Sequence, residues 1–278
     1  MNSHLKQNKN GETERRHSYD TAINIIGGLK DCSVIFHAFS AFFDRNDSLN
    51  LMMGERNEFN LRTQRSKSRI ELAVEQNFLS FTSPDHESLL QHFFATRAAA
   101  TDRELVIFWQ MALNNRLFRE ISQNVFARVY FSGRVSINKD DIIAWLKEFL
   151  SQNKNLNLKW SEKTIETLAT KYLNLMTKLS LLEGARNKLF KHIRLSAEAL
   201  VLFLYFARLH QPFENNLLEN KFLALCFVSK EDLKDRLKKL SLKGYFNMAF
   251  NGTALNIELV HSYKGICDAL YNRPQTEI

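Results

Sequence analysis

The sequence predicts a mainly α fold: a helical bundle with winged-helix-like elements and a small C-terminal β-hairpin. Three observations carry this. The 278 residues include only nine glycines and three prolines, too few turn formers for a strand-rich fold. Apolar residues recur at spacings of three and four in segment after segment, the period of an amphipathic helix. Near the C-terminus, Tyr245 to Val260 reads YFNMAFNGTALNIELV. That is two β-favouring runs around Asn251-Gly252, a strong hairpin signal because both turn residues tolerate positive φ. The chain is long enough to bury a real core.

In order along the chain, residues 1–18 read as a polar, mixed-charge tail, 19–210 as a helical domain, and 211–278 as a C-terminal winged-helix-like module beginning near Pro212. Asp31 to Phe43 is expected to be a buried helix with His37 as a core residue. Asn57 to Phe81 follows as a helix whose Arg62, Arg65 and Arg69 fall at i, i+3 and i+7, hence on one face. Lys67 lies elsewhere on the same turn. These four cations, with no acid among them, make a phosphate-binding patch. Pro84 starts a short helix, and Thr101 caps a longer apolar one that is continued by Asn114 to Phe131. Asn138 caps the next, with Asp140 and Asp141 in the first turn, where the helix dipole favours acids.

The chain is organised around Trp160 to Leu195. Ser161 is placed to cap a helix whose Ile165, Leu168, Tyr172, Met176 and Leu179 form one apolar stripe. Gly184 is expected to stop it. Arg186, Lys188, Lys191, His192 and Arg194 come next without an acid. A capped helix, a glycine stop and a basic β-like segment is how the end of a winged helix-turn-helix reads. The pattern recurs. Ser196 caps an apolar helix ending near His210, and a further helix is expected over 215–227. Ser229 then caps a helix with Leu233, Leu237, Leu240 and Leu242 on its buried side, followed by Gly244 and the hairpin. Both capped helices end on Lys-Leu-Ser-Leu. The first unit offers Lys163, Lys171, Lys188, Lys191 and Arg194. The second offers Lys234, Arg236, Lys238 and Lys239, partly offset by Glu231, Asp232 and Asp235.

The net charge of +8 points to an anionic partner, nucleic acid before membrane. No P-loop, HExxH, GxSxG, GxGxxG or zinc-ligand spacing occurs. No catalytic residue, metal or cofactor is therefore expected. Cys32, Cys226 and Cys267 are far apart and form no CxxC, which fits a reducing, cytoplasmic setting. The N-terminus lacks the apolar core of a leader, and the most apolar run, Ala199 to Ala207, is too short to cross a bilayer. The expected function is DNA binding, duplex with weak sequence specificity, through phosphate contacts. The alternative is a protein–protein scaffold whose cations meet acidic partners.

The order NEFNLRTQRSKSRIELAV, ATDRELVIFWQMALNNRLFREISQNVF, WSEKTIETLATKYLNLMTKLSLLEG and then an apolar helix resembles the BrxA family over about Tyr19 to Leu209. The resemblance implies a small helical accessory of a BREX bacteriophage-exclusion locus. It also implies DNA binding without catalysis, alongside other subunits such as a methyltransferase and an ATPase.

Overall fold

The computed structural model describes residues 19–44 and 63–271. In chain order the helices are α1 Ile23–Ile26, α2 Ser33–Phe43, α3 Gln64–Phe78, α4 Pro84–Ala95, α5 Ala100–Asn114, α6 Arg116–Ile121 and α7 Ala127–Phe131. A π-helical turn, Ser122–Phe126, joins the last two. Strand β1 Ser136–Ile137 precedes α8 Lys139–Gln152 and α9 Glu162–Lys178, then β2 Leu182–Glu183 and β3 Lys188–Phe190. The remainder is α10 Ala197–His210, the 3-10 turns Leu217–Glu219 and Leu223–Cys226, α11 Lys230–Ser241, β4 Phe246–Phe250, β5 Leu255–Leu259 and α12 Gly265–Tyr271. The chain is mainly α, as its periodicity requires.

Contacts divide the chain into two compact units, Met1–Ser80 with Gln110–His192, and Phe81–Trp109 with Ile193–Ile278. The expected boundary at 210/211 therefore falls inside the second unit. The proline marks a loop between elements that share a core. Asn220 Nδ2 donates to Ala207 O at 2.9 Å, Arg208 Nη2 to Ile257 O at 2.8 Å and Tyr205 OH to His261 O at 3.0 Å, all tying α10 to residues beyond Pro212.

In the first unit, β1 pairs antiparallel with β3 and β3 with β2, giving the order β1-β3-β2. The sequence of elements is strand, helix, helix, hairpin, with the first strand joined to the last. Asn138 and Asp141 close a capping box over α8. Ser161 Oγ accepts from Thr164 N at the start of α9. That helix ends earlier than Gly184, at Ser180, whose φ is +56°. Leu181 N donates to Met176 O at 3.0 Å and Ser180 N to Thr177 O at 3.2 Å, the double closure of a Schellman motif. Gly184 (φ +90°) instead shapes the β2–β3 turn, where a Cβ would lie 2.1 Å from Asn187 O. His37 is exposed, with Nδ1 2.8 Å from Ser33 O. Val34, Ile35, Ala38 and Phe39 make the buried stripe of α2, and His37 falls outside it.

In the second unit the same order returns in a shorter form. Residues 215–216 bridge to β5 (Asn216 with Asn256, and Ile257 N to Asn215 O at 3.1 Å), and β5 pairs with β4. The helix expected over 215–227 is two 3-10 turns. Asn216 Oδ1 and Asn220 Oδ1 accept from Leu218 N and Phe222 N, local bonds that compete with an α-helical ladder. Trp109 Nε1 donates to Leu225 O at 2.9 Å in the core. Ser229 caps α11 as expected, and Leu233, Leu237 and Leu240 are buried. Leu242 is not: it is 82% exposed, one residue past the last helical turn. The hairpin turns over the four residues 251–254, not over two. Gly252 has φ +96°. Asn251 serves through its side chain, which accepts from Thr253 N and Ala254 N, an Asx turn.

Candidate nucleic-acid interface

Helix α3 carries the arginine patch. Arg65 and Arg69, one turn apart, are exposed on one face, and Lys67 is half-buried off that face. Arg62 lies outside the described residues. Thr63 Oγ1 caps the helix by accepting from Ser66 N at 3.1 Å. The last carbonyls of a helix lack partners of their own, and here α5 supplies them. Gln110 Nε2 donates to Phe78 O at 2.9 Å, and Asn114 Nδ2 to Asn77 O and Ser80 O at 3.0 Å each. Asn115 Nδ2 reaches Asn77 Oδ1 and Asp20 Oδ1, while Asn115 Oδ1 caps α6 through Phe118 N. Burial pushes the Asp20 carboxyl up, opposed by bonds from Ala22 N and Asn115. This buried amide network fixes the helix that presents Arg65 and Arg69.

Helix α9 is open at its N-terminal half only. Lys163 and Glu166 are exposed, and Glu162 is bonded to Lys147 of α8 at 2.6 Å. Further along, α1 lies against α9 so closely that a Cβ on Gly27 would sit 2.2 Å from Lys171 O. Lys178 Nζ donates to Gly27 O at 2.9 Å, and burial holds its ammonium below the ordinary lysine range. Lys171 is half-buried beside this contact. The turn before α9 adds exposed Lys154 and Lys159, which the sequence reading did not single out. The turn's amide-rich wording, NKNLNLKW, with Asn157 at φ +50°, was the available signal.

The β2–β3 hairpin is less basic than its sequence. Lys188 turns inward, is buried, and donates from Nζ to Gly184 O at 2.9 Å. Burial lowers its pKa. Period-two alternation then sends Leu189 outward. Arg186 and Lys191 are exposed in the first unit, and Arg194 is exposed in the second. On α11, Lys234 and Lys238 share an exposed face with Lys239 beside them, and Lys234 Nζ lies 4.1 Å from the centroid of the Phe250 ring. Arg236 has a structural part, donating to Leu195 O at 2.6 Å. Among the described residues no group of His, Cys, Asp and Glu could hold a metal ion, and no helix is long and apolar enough to cross a membrane.

The BrxA family model matches residues 45–204. No curated protein and no solved structure matches the chain. The matched stretch spans α3, the amide network, the first strand–helix–helix–hairpin series and Arg194, and stops within α10, so the α11 lysines lie beyond it. Because the match covers more than half of the 278 residues, the chain belongs to the BrxA family.

Proposed function

We propose that this BREX-associated protein is a non-enzymatic DNA-binding accessory that grips duplex mainly through phosphates. The observation that carries the reading is the strand–helix–helix–hairpin order of the first unit, with its first strand paired to its last; the second unit has a shorter version, with an isolated Asn216–Asn256 bridge in place of the first strand and two 3-10 turns in place of the first helix. That order supports a winged-helix reading, in which the second helix enters a groove N-terminus first. The exposed cations fit it. Lys154 and Lys159 lie in the turn before α9 and Lys163 in its first turn, Arg186 sits at the hairpin tip, and Lys234 and Lys238 lie on α11. The exposed part of α9 lacks the Asn, Gln and Arg surface that base readout needs, so specificity rests with partner subunits of the defence system.

Fluorescence anisotropy with a random-sequence duplex at two salt concentrations tests this. Log affinity should fall linearly with log salt, and K154A/K159A/K163A should flatten the slope by about 0.9 per lost phosphate contact. The competing reading is a protein scaffold, which the acids on the same faces (Glu162, Glu166, Glu231, Asp235) favour. Absence of binding to duplex and single strand alike at low salt would establish the scaffold in its place.

A further inference from the structure

The C-terminal hairpin carries a polar groove of about 700 Å³, a volume within the ordinary range of small-molecule sites. The groove lies wholly in the second unit. Along β5, Leu255 and Ile257 are buried while Asn256 and Glu258 are exposed, so the last two share the outer face of the strand. The register sets Asn247 opposite Glu258 and Ala249 opposite Asn256 on that face. All four line the groove, together with Arg208 and Tyr263.

These groups differ in how far they are engaged. Arg208 donates to Pro212 O, Asn215 Oδ1 and Ile257 O at 3.2, 2.6 and 2.8 Å, which ties its guanidinium to the protein. Asn247 Nδ2 donates to Glu258 Oε2 at 3.0 Å. Among the described residues, Glu258 Oε1, the Asn256 amide and the Tyr263 hydroxyl have no hydrogen-bond partner. The Tyr263 ring stands at 86° to that of Tyr205, with centroids 5.1 Å apart.

We propose that this groove takes an unpaired nucleobase bearing an exocyclic amino group, cytosine or adenine. The inference deepens the DNA reading and rests on it. Glu258, the one acid among the described lining residues, singles out the ligand. A carboxylate repels phosphate but accepts from a base amine, and an asparagine amide matches the adenine edge. Thymine has no such amine. The base must be unpaired, because a duplex holds its bases in the stack. Tyr263 gives the base an aromatic neighbour. The main-chain groups of Ile257 are already bonded to Asn215 O and Arg208, which disfavours an added peptide strand at that edge.

The test uses methyl NMR of the full chain labelled at Met and Ala, with Met248 and Ala249 as reporters in the groove. Oligodeoxycytidylate, oligodeoxyadenylate and oligothymidylate of equal length are titrated at low salt. Saturable shifts of both methyls are expected with the first two, with affinity roughly tenfold tighter than for oligothymidylate. E258Q keeps the shape of the side chain but replaces one acceptor oxygen by an amide donor. It should remove most of that preference while random-duplex affinity, its salt slope and the thermal midpoint stay at wild-type values. Equal affinity for the three oligonucleotides, with duplex binding intact, overturns this inference and leaves the DNA reading standing. A preference unchanged in E258Q also overturns it. Base-selective shifts without any duplex binding would instead overturn the duplex reading and keep the groove as a nucleotide site. Silence of both methyls toward all three, with shifts on adding an extended peptide, would give the groove to a protein strand.

Discussion

Gly27 shows how one residue sets the position of an element. With a Cβ placed 2.2 Å from Lys171 O, α1 and α9 would have to separate. Gly27→Ala is therefore expected to cost about 1–3 kcal/mol, the usual range for overpacking, read as a lower thermal midpoint. Two carboxyls make the pH dependence testable. Arg134 beside Asp141 holds that carboxyl below its ordinary value of 3.8. Its contribution is present above that value and is lost as the pH falls through the lower folded one. Asp102, accepting from Ser196 Oγ at 2.8 Å, is pushed above 3.8 by burial. Its contribution is full below 3.8 and is lost as the pH rises through the folded value. In melts between pH 7 and 3, D141N should be the less stable protein at neutral pH and converge on the wild type in acid. D102N should instead lack the gain that the wild type draws from protonating Asp102.

At the scale of elements, the arginine face of α3 is the sharpest test of the phosphate reading. R65A/R69A leaves a helix of good formers still anchored at its far end by Gln110 and Asn114. It should weaken all duplex sequences alike and flatten the salt slope by about two units; an unchanged slope would make the face a merely solvated one. The C-terminal hairpin depends on its turn. Gly252 has nothing within 4 Å of a built Cβ but sits at φ +96°, so Gly252→Val meets backbone strain without a clash. A loss of about 1–2 kcal/mol is expected, with hydrogen exchange rising in β4 and β5. The repeated Lys-Leu-Ser-Leu shows how little four residues fix. Ser180 takes φ +56° beyond α9, whereas Ser241 is the last residue of α11.

For the whole molecule, the division into units governs how binding can be dissected. Cutting the chain near His210 would strip α10 of Asn220, Ile257 and His261, and Trp109 of its partner Leu225 O. Such a truncation should unfold the second unit, including Phe81–Trp109, and proteolysis should detect it. The contribution of the second unit is better measured in the full chain. K234A/K238A/K239A should retain most duplex affinity while losing up to about three units of salt slope. Loss of all binding would make α11 the principal contact.

What the sequence determined by itself is what local physics controls. Ser161, Ser196 and Ser229 cap the helices expected of them, because a cap is satisfied within one turn. The hairpin around Gly252 and the mainly α class follow from turn chemistry and periodicity, and the family from the order of its segments. Tertiary structure decided the rest. The pairing of Ser136–Ile137 with β3 joins residues some fifty positions apart, and nothing in a two-residue strand announces it. The inward turn of Lys188 depends on which side of that sheet meets the core. The boundary between units likewise follows long-range contacts of α5 and α10, since a helix carries no local mark of the core it will join.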